Sequence, residues 1–184
     1  MALILYLIRH LAPNVAPGVC YGRSDLAVEP ATQLAALPQL RTQLPTDTTD
    51  CTVFTSPLQR CATLAADLFG KRAISDARLM ELDFGSWEMR PWDSIARADI
   101  DAWVADLAHF RPGGGESVYA MAQRVAAFEA GLPPDGSVVV VCHAGVIRLL
   151  CARWLGLDPA QMARDAAGRA HSIGYGEVVV LTRP

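Results

Sequence analysis

Two histidines that directly follow apolar segments are the residues of this sequence best suited to chemistry. His10 follows Arg9 at the end of the apolar residues 3–8. His143 follows the apolar residues 138–142. In an open α/β sheet, parallel strands deliver their carboxyl ends to one edge, where ligands bind. Two imidazoles and at least one guanidinium are therefore expected to meet in one small site, and this combination of groups indicates phosphoryl chemistry.

A further cation is predicted close to a helix N-terminus. Residues 51–54 are typical of a strand, and Thr55, Ser56 and Pro57 after it are typical of a helix start, with a hydroxyl cap and proline in the first helical position. This helix would carry Arg60 on its first turn, where the backbone N–H groups also favour an anion. Arg60 is therefore a second candidate for holding phosphate, and the alternative is a surface charge.

The segment 79–88 supplies a carboxyl group in apolar and aromatic surroundings. Glu81 lies in this segment and has the side chain that a general acid requires. The alternative role for Glu81 is an exposed ion pair with a nearby arginine. At the second histidine, Gly145 would allow the close backbone approach that a turn from strand to helix needs.

The hydrophobic pattern alternates between strand and helix and predicts a three-layer α/β sandwich with a mainly parallel central sheet. We expect strands at residues 3–8, 51–54, 73–75, 138–142 and 177–181, and helices at residues 30–44, 55–69, 92–108, 117–130 and 145–155. Residues 78–115 do not fit the alternation, and an insertion over a sheet edge is a common place for a lid or pocket. We predict a single domain over residues 1–184 with a lid-like insertion at about 78–115.

Composition argues against several classes of protein. The chain has 184 residues, of which 52% are hydrophobic, and a net charge of −3, as expected for one globular domain with a filled core. No basic segment indicates nucleic acid or a membrane surface as a partner. No apolar stretch approaches the roughly 20 residues of a membrane span. The five cysteines lack C-x-x-C spacing and predict reduced thiols, so we expect a cytoplasmic protein.

Five motifs occur in one order along the chain: Arg9-His10, Ser56-Pro57-Leu58-Gln59-Arg60, Glu81-Leu82-Asp83-Phe84-Gly85-Ser86-Trp87-Glu88, Gly114-Gly115-Glu116-Ser117 and His143-Ala144-Gly145-Val146-Ile147-Arg148. Together they resemble the histidine phosphatase superfamily, which has the phosphoglycerate-mutase-like fold, and the resemblance spans nearly the whole chain. Residues 20–25 (Cys-Tyr-Gly-Arg-Ser-Asp) and the short chain are most similar to the alpha-ribazole phosphatase branch, which acts late in cobalamin assembly.

The resemblance implies a metal-independent phosphomonoesterase whose partner is a small phosphorylated metabolite. By this resemblance, His10 attacks phosphorus and becomes a phosphohistidine, which water then hydrolyses. Arg9, Arg60 and His143 would hold the three non-bridging oxygens. Glu81 would protonate the leaving alkoxide and then take a proton from water. No metal ion and no other cofactor is implied, and alpha-ribazole 5'-phosphate is the substrate that the branch suggests.

The resemblance also extends to residues beside the reacting groups. Gly22, Arg23 and Ser24, opposite the phosphate site, are expected to contact the substrate. Glu116 and Arg124 are expected to brace the scaffold.

Two places depart from the usual pattern of the family. Leu11, Ala12 and Pro13 stand where glycine, glutamate and a hydroxyl residue are usual, so that a hydroxyl able to contact phosphate is lost. Met89 stands where glycine is usual. Because the five proposed catalytic residues are retained, these changes affect the expected substrate and rate more than the type of reaction.

Alternative functions remain at this stage. Residues 142–148 also fit the cysteine-phosphatase pattern C-x-x-G-x-x-R, in which Cys142 is the nucleophile and Arg148 holds the phosphate. Leu11 and Ala12 are also compatible with a module that binds a phosphorylated ligand without turning it over.

Other enzymatic alternatives share the same histidines. A metal site built from His10, His143 and Glu81 is one, although the chain lacks a close ligand pair such as H-x-x-x-H. A phosphoglycerate mutase-like activity or a broad-specificity phosphatase of small metabolites is another. By the same resemblance, the cofactor-dependent mutases are longer chains, so mutase activity is less favoured for a sequence with a modest insertion and little chain after Leu181. The sequence does not indicate an oligomeric state.

Overall fold

A five-stranded sheet lies at the centre of the computed structural model, which describes residues 2–169 and 172–183. The strands are β1 (Leu3–Arg9), β2 (Thr52–Thr55), β3 (Ile74–Ser75), β4 (Gly136–Cys142) and β5 (Val178–Arg183). Their order in the sheet is β3-β2-β4-β1-β5, with β1 to β4 parallel and β5 antiparallel to β1. The predicted α/β class with a mainly parallel sheet is confirmed.

In the part of the chain that the structure describes, six α-helices accompany the sheet: α1 (Pro30–Thr42), α2 (Gln59–Phe69), α3 (Arg97–Ala105), α4 (Val118–Glu129), α5 (Ala144–Trp154) and α6 (Pro159–Gly168). Helix α6 was not expected, yet its start is readable. Asp158 and Gln161 form a reciprocal capping box, and Pro159 occupies the first turn.

Two apolar clusters cover the sheet. The alternating residues Val138 and Val140 of β4 belong to one cluster, which also contains residues of α4, α5 and α6. Val139 and Val141 belong to the other cluster, with residues of α1 and α2. Because successive side chains of a strand point to opposite faces, these clusters form three layers around the sheet. This double coverage explains the uninterrupted apolar sequence of β4.

Helix α2 begins later than the sequence predicts, at Gln59 instead of Pro57. The carboxylate of the distant residue Asp25 accepts hydrogen bonds from the backbone N (2.7 Å) and side-chain Nε2 (3.0 Å) of Gln59. Ser56 is fully buried, and its Oγ is 3.4 Å from the backbone N of Leu58 and 2.8 Å from Nε2 of His143. The predicted hydroxyl cap was therefore wrong, because Leu58 is the N-cap residue and Asp25 binds the first N–H of the helix.

The segment 78–115 is less helical than expected. The single predicted helix at 92–108 is in fact a short 3₁₀ turn (Trp92–Ser94) followed by α3. Around them, Trp87 and Ile95 are buried in an aromatic cluster in which the rings of Trp92 and Trp103 stack at 5.8 Å. Within the described ranges, no helix is long and apolar enough to cross a membrane.

Candidate active site

The parallel pairing of β1 with β4 brings the two histidines together. Arg9 and Cys142 are opposite each other in this pairing, so the next residue of each chain segment leaves the sheet at the same edge. The rings of His10 and His143 lie 5.0 Å apart, with an angle of 63° between their planes. The structure therefore places both imidazoles at the carboxyl edge of the sheet, where ligands bind in open α/β folds.

The hydrogen bonds of His10 define which of its nitrogens is free to attack. Its Nδ1 lies 2.7 Å from the carbonyl oxygen of Leu11, which can only accept, so Nδ1 carries the proton. Its Nε2 accepts a hydrogen bond of 3.2 Å from Nε of Arg60. Burial, followed by the charge of Arg60, lowers the pKa of His10 from 6.5 to about 3. At neutral pH the imidazole is thus uncharged, with a lone pair on Nε2.

Arg60 is held in place entirely by neutral groups. It is fully buried, and its two terminal nitrogens donate to the carbonyl oxygens of Ser24 (2.7 Å) and Gly22 (2.5 Å). No carboxylate of the described ranges forms an ion pair with Arg60. A buried positive charge without a counter-ion is costly, so this site is complementary to an anion such as a phosphoryl group.

Arg9 offers a second guanidinium with an unused donor. Its Nη1 donates to the carbonyl oxygen of Ile173 (2.5 Å), and its Cζ lies 3.9 Å from the centre of the Tyr175 ring. Its Nε is buried and has no hydrogen-bond partner among the residues that the structure describes. Buried donors without a partner are rare in proteins, and an anion in the cavity can satisfy this one.

His143 is fully buried at the N-cap position of α5. Its Nε2 forms a hydrogen bond of 2.8 Å with Oγ of Ser56. Burial, together with the positive charges around it, holds the pKa of His143 well below its usual range. The second imidazole is therefore also uncharged at neutral pH and acts as a hydrogen-bonding group.

Glu81 reaches the same site from the segment after β3. Its Oε2 accepts a hydrogen bond from the backbone N of Gly145 (3.1 Å), and its Oε1 accepts one from the backbone N of Leu82 (3.1 Å). A Cβ atom at position 145 would lie 2.3 Å from Oε1 of Glu81. A larger residue at position 145 would therefore displace the carboxyl group of Glu81 from its present position.

Arg124 fixes the backbone that carries Glu81. It donates to the carbonyl oxygens of Arg78 (2.7 Å), Met80 (2.6 Å) and Glu81 (3.2 Å). It also forms a two-point ion pair with Glu116, at 2.8 and 2.9 Å. These contacts agree with the expected bracing role of Glu116 and Arg124.

The loop of Gly22, Arg23 and Ser24 is organised by Glu88, which sequence reasoning did not single out. The backbone N atoms of these three residues donate to the Glu88 carboxylate at 3.0, 2.9 and 3.1 Å. Burial alone would raise the pKa of Glu88, but the hydrogen bonds from Ser24 and the loop hold it below its usual value. The same loop presents its carbonyl oxygens to Arg60. The Trp-Glu pair at 87–88 was the available signal.

The three loop residues therefore act near the site in different ways. Gly22 and Ser24 contact Arg60 through their backbones, and Arg23 forms ion pairs of 3.6 Å with Asp83 and Glu116. None of the three lines the cavity described next. A direct contact with substrate stays a prediction.

A cavity of about 440 Å³ opens beside His10 and Glu81, whereas the fully buried His143 does not line it. One end is lined by Arg9, His10, Tyr21, Arg60, Glu81, Ala144 and Gly145. The remaining wall is mostly apolar and includes Phe84, Trp103, Leu107, Met121 and Leu149, with Arg148 as its one charged residue within the described ranges. The cavity thus combines a polar end suited to phosphate with an apolar space for the rest of a ligand.

The structure contradicts the cysteine-phosphatase alternative. Cys142 is fully buried in the apolar core, and this burial raises the pKa of its thiol well above the usual value. A thiol that stays protonated is not a nucleophile. Arg148 donates to the carbonyl oxygens of Ala166 and Arg169. The pattern C-x-x-G-x-x-R at 142–148 therefore has no catalytic geometry.

The metal alternative is not supported either. In residues 2–169 and 172–183 there is no group of three His, Cys, Asp or Glu side chains that could hold a metal ion. The lone pair of His10 Nε2 faces the Arg60 guanidinium, whose charge would repel a cation.

The fold and the residues of this site together indicate the protein superfamily to which the chain belongs. The family model of the histidine phosphatase superfamily (branch 1) matches residues 5–174. The chain therefore belongs to this superfamily, as its motifs indicated.

Two relatives and one solved structure with similar sequences are named as phosphatases. The adenosylcobalamin/alpha-ribazole phosphatase of Escherichia coli is 38% identical over 90 residues, which span 46% of this chain and only 44% of that protein. The protein of the same name from Salmonella typhimurium is 30% identical over 171 residues, covering 86% of this chain and 82% of the relative. The crystal structure of the alpha-ribazole phosphatase from Shigella flexneri is 28% identical, covers 96% of this chain and 89% of that chain, and superposes with a TM-score of 0.80.

Proposed function

We propose that this protein is a metal-independent phosphomonoesterase that works through a phosphohistidine on His10. The observation that carries the proposal is the state of His10. Its proton is held on Nδ1 by the carbonyl of Leu11, and its pKa of about 3 keeps Nε2 unprotonated at neutral pH. Nε of Arg60 lies 3.2 Å from this nitrogen, and Arg9 precedes His10 directly in the chain. Neither guanidinium forms an ion pair with a carboxylate of the described residues, which favours binding of a phosphoryl group beside the attacking base.

In the first step, Nε2 of His10 forms a bond to phosphorus while the bond from phosphorus to the ester oxygen breaks. Arg9, Arg60 and His143 stabilise the charge on the three non-bridging oxygens, which is greatest in the transition state. Glu81 transfers a proton to the leaving oxygen, so that an alcohol departs and a phosphohistidine remains.

In the second step, a water molecule transfers a proton to the Glu81 carboxylate as its oxygen forms a bond to phosphorus. The bond between phosphorus and Nε2 breaks, which releases inorganic phosphate and restores the neutral imidazole. Glu81 regains its proton and is ready for the next ester. Two backbone N–H donors hold its carboxyl group at one position throughout, as this double role requires.

Alpha-ribazole 5'-phosphate is the first substrate to test, because two relatives and one similar structure bear the name of that activity. The cavity volume of about 440 Å³ lies within the usual range of small-molecule sites, about 300–1,000 Å³. Its apolar wall suits an aromatic base, which Trp103 and Phe84 can contact. The buried Trp87 packs instead within the aromatic cluster.

We also infer that residues 1–184 form one domain in which the segment 78–115 covers the cavity, since Phe84, Trp103 and Leu107 contribute to its wall. The expected partner is a small phosphorylated metabolite. The five free cysteines support a reducing, cytoplasmic environment.

The test is phosphate release from an aryl phosphate in excess chelator, by wild type and by the variants His10→Ala, Cys142→Ser and His109→Ala. His109 is an exposed histidine outside the cavity and serves as the matched control. We expect activity to be abolished in His10→Ala only, and a rapid acid-free quench of wild type to show a phosphorylated His10 by mass spectrometry. Activity retained in His10→Ala, or lost in Cys142→Ser without loss of folding, would contradict the proposed nucleophile.

The substrate is tested separately, by comparing kcat/KM for alpha-ribazole 5'-phosphate with kcat/KM for 3-phosphoglycerate and the aryl phosphate. A preference of at least about tenfold for the first, equivalent to about 1.4 kcal/mol, is expected if the apolar wall selects the leaving group. Equal values for all three would indicate a broad-specificity phosphatase.

A further inference from the structure

Two tyrosines far apart in the sequence meet beside the candidate active site. The hydroxyl oxygens of Tyr21 and Tyr175 lie 2.6 Å apart, and they form a hydrogen bond between residues separated by 154 positions. Tyr21 lies in the loop before Gly22, and Tyr175 lies in the segment before β5. No motif in the sequence pointed to either side chain.

Both rings contact the cations assigned to the phosphoryl group. The Tyr175 ring lies 3.9 Å below the Arg9 guanidinium and 5.6 Å from the ring of His10. The centre of the Tyr21 ring is 5.6 Å from Cζ of Arg60. The two tyrosine rings therefore lie against both arginines of the site and against His10 itself.

The segment that carries Tyr175 is tied to the nucleophile by backbone contacts. The backbone N–H of Gly176 points at the carbonyl oxygens of Arg9 (3.1 Å) and His10 (3.3 Å). The backbone N–H of Arg9 donates to the carbonyl oxygen of Glu177 (3.0 Å). Ile173 accepts from the Arg9 side chain. These bonds place the Tyr175 ring at a defined position against His10.

The two tyrosine hydroxyl groups carry two hydrogens, and the hydrogen bond between them uses only one. Each hydroxyl can donate once, and only one of the two hydrogens lies between the oxygens. Within the described ranges, neither hydroxyl has another hydrogen-bond partner. Burial raises the pKa of Tyr21 above its usual value, so that it keeps its hydrogen at physiological pH.

We propose that Tyr21 donates its free hydrogen to a non-bridging oxygen of the phosphoryl group, while Tyr175 donates to the Tyr21 oxygen and positions it. Tyr21 is the terminal donor because it lines the cavity, whereas Tyr175 does not. In this order the two hydrogen bonds polarise each other, which strengthens the donor that faces the anion. Tyr21 is thus a catalytic residue and Tyr175 a positioning residue. The inference rests on the proposed phosphoryl transfer at His10.

The test uses Tyr21→Phe, Tyr175→Phe and the double variant, with Tyr119→Phe as a control outside the cavity. Phenylalanine keeps both rings against the arginines and removes only the hydroxyl groups. For each protein we would measure kcat/KM with an aryl phosphate, the inhibition constant of orthovanadate, the dissociation constant of inorganic phosphate by calorimetry, and the thermal midpoint.

We expect Tyr21→Phe to lower kcat/KM about 10- to 100-fold, which is the loss for one hydrogen bond to a charged group. Orthovanadate inhibition weakens by a similar factor, because this ion mimics the transition state, and inorganic phosphate binds less tightly. In Tyr175→Phe we expect kcat/KM to fall about 3- to 10-fold. The double variant should have the same kcat/KM as Tyr21→Phe, because Tyr175 acts only through Tyr21. Thermal midpoints stay close to wild type.

A Tyr21→Phe protein with the kcat/KM and vanadate inhibition of wild type would overturn the inference. So would single losses that multiply in the double variant, since they would show two independent contacts. If the wild-type protein had no phosphatase activity, the proposed function would be contradicted. In that case the affinities of wild type and Tyr21→Phe for inorganic phosphate would test this inference separately. Weaker phosphate binding by Tyr21→Phe supports the donor, and unchanged binding overturns it.

Discussion

The guanidinium Nε of Arg60 donates a hydrogen bond of 3.2 Å to Nε2 of His10, the same nitrogen that is proposed to attack phosphorus. This contact keeps a proton off Nε2 and orients its lone pair. An incoming phosphoryl group offers Arg60 negatively charged acceptors in place of the imidazole, so the donor can turn to the substrate and free the nucleophile. In the proposed mechanism, one arginine thereby suppresses protonation of His10 in the absence of substrate and stabilises the transferred group.

Replacing Arg60 tests this double role. In Arg60→Gln we expect kcat/KM to fall by about 10³-fold, because a buried charge is lost from the transition state. The acid limb of the pH profile should also move upward, toward the ordinary histidine pKa of 6.5, since a cation that lowers the pKa of His10 is gone. Profiles of kcat/KM between pH 4 and 8 measure both effects, with the exposed Arg97→Gln as control. An unchanged acid limb would show that burial alone governs His10.

The pKa of His10 also makes folding depend on pH. Its pKa is about 3 in the folded protein and 6.5 as the reference value, so the unfolded chain binds more protons between these limits. The contribution to stability is complete above pH 6.5 and is lost as the pH falls toward 3. Below about pH 6, we expect the free energy of unfolding of His10→Gln to rise relative to that of wild type by about 1.4 kcal/mol for each pH unit. Urea unfolding of both proteins at pH 7.5, 5.5 and 4.5 measures this difference, and parallel stabilities would contradict it.

Gly145 leaves room for the carboxyl group of Glu81, the proposed general acid. Alanine at 145 would place a Cβ 2.3 Å from Oε1 of Glu81, so the carboxyl group must move. We expect Gly145→Ala to lower kcat about 10- to 100-fold for alkyl phosphates, which need a proton on the leaving oxygen. The loss should be much smaller for 4-nitrophenyl phosphate, whose leaving group needs little protonation. Gly168→Ala, where a Cβ meets nothing within 4 Å, is the control. Equal losses with both substrates would indicate general damage to the site.

Met89 has the left-handed backbone φ of 61° that favours glycine, and it is the position at which the family usually has glycine. Its side chain is 49% exposed, so little apolar burial is lost on truncation. We expect Met89→Gly to raise the free energy of unfolding by about 1 kcal/mol through relief of this strain. Met80→Gly, at a φ of −62°, should lower it. Urea titration of the two variants gives the comparison, and destabilisation by both would show that φ at 89 is not strained.

Much of the fold and of the polar end of the cavity could be predicted from local sequence. Strands β1 and β4 are encoded by continuous apolar segments of a few residues, and the Ser117 cap of α4 is a contact to Ala120 three positions away. The histidines at the ends of β1 and β4 meet because parallel pairing needs only the register of two apolar strands. The superfamily motifs pointed to the same residues.

Only the tertiary structure decided the contacts that make these residues a site. The Asp25 cap of α2, the hold of Gly22 and Ser24 on Arg60, and the pairing of Tyr21 with Tyr175 join residues separated by 34, 38, 36 and 154 positions. Such contacts leave no periodic trace, because they depend on which surfaces meet once the layers have packed. The sequence by itself determined which chemical groups reach the edge of the sheet. Packing determined their protonation, their free donors and the shape of the cavity, since burial and distant partners set all three.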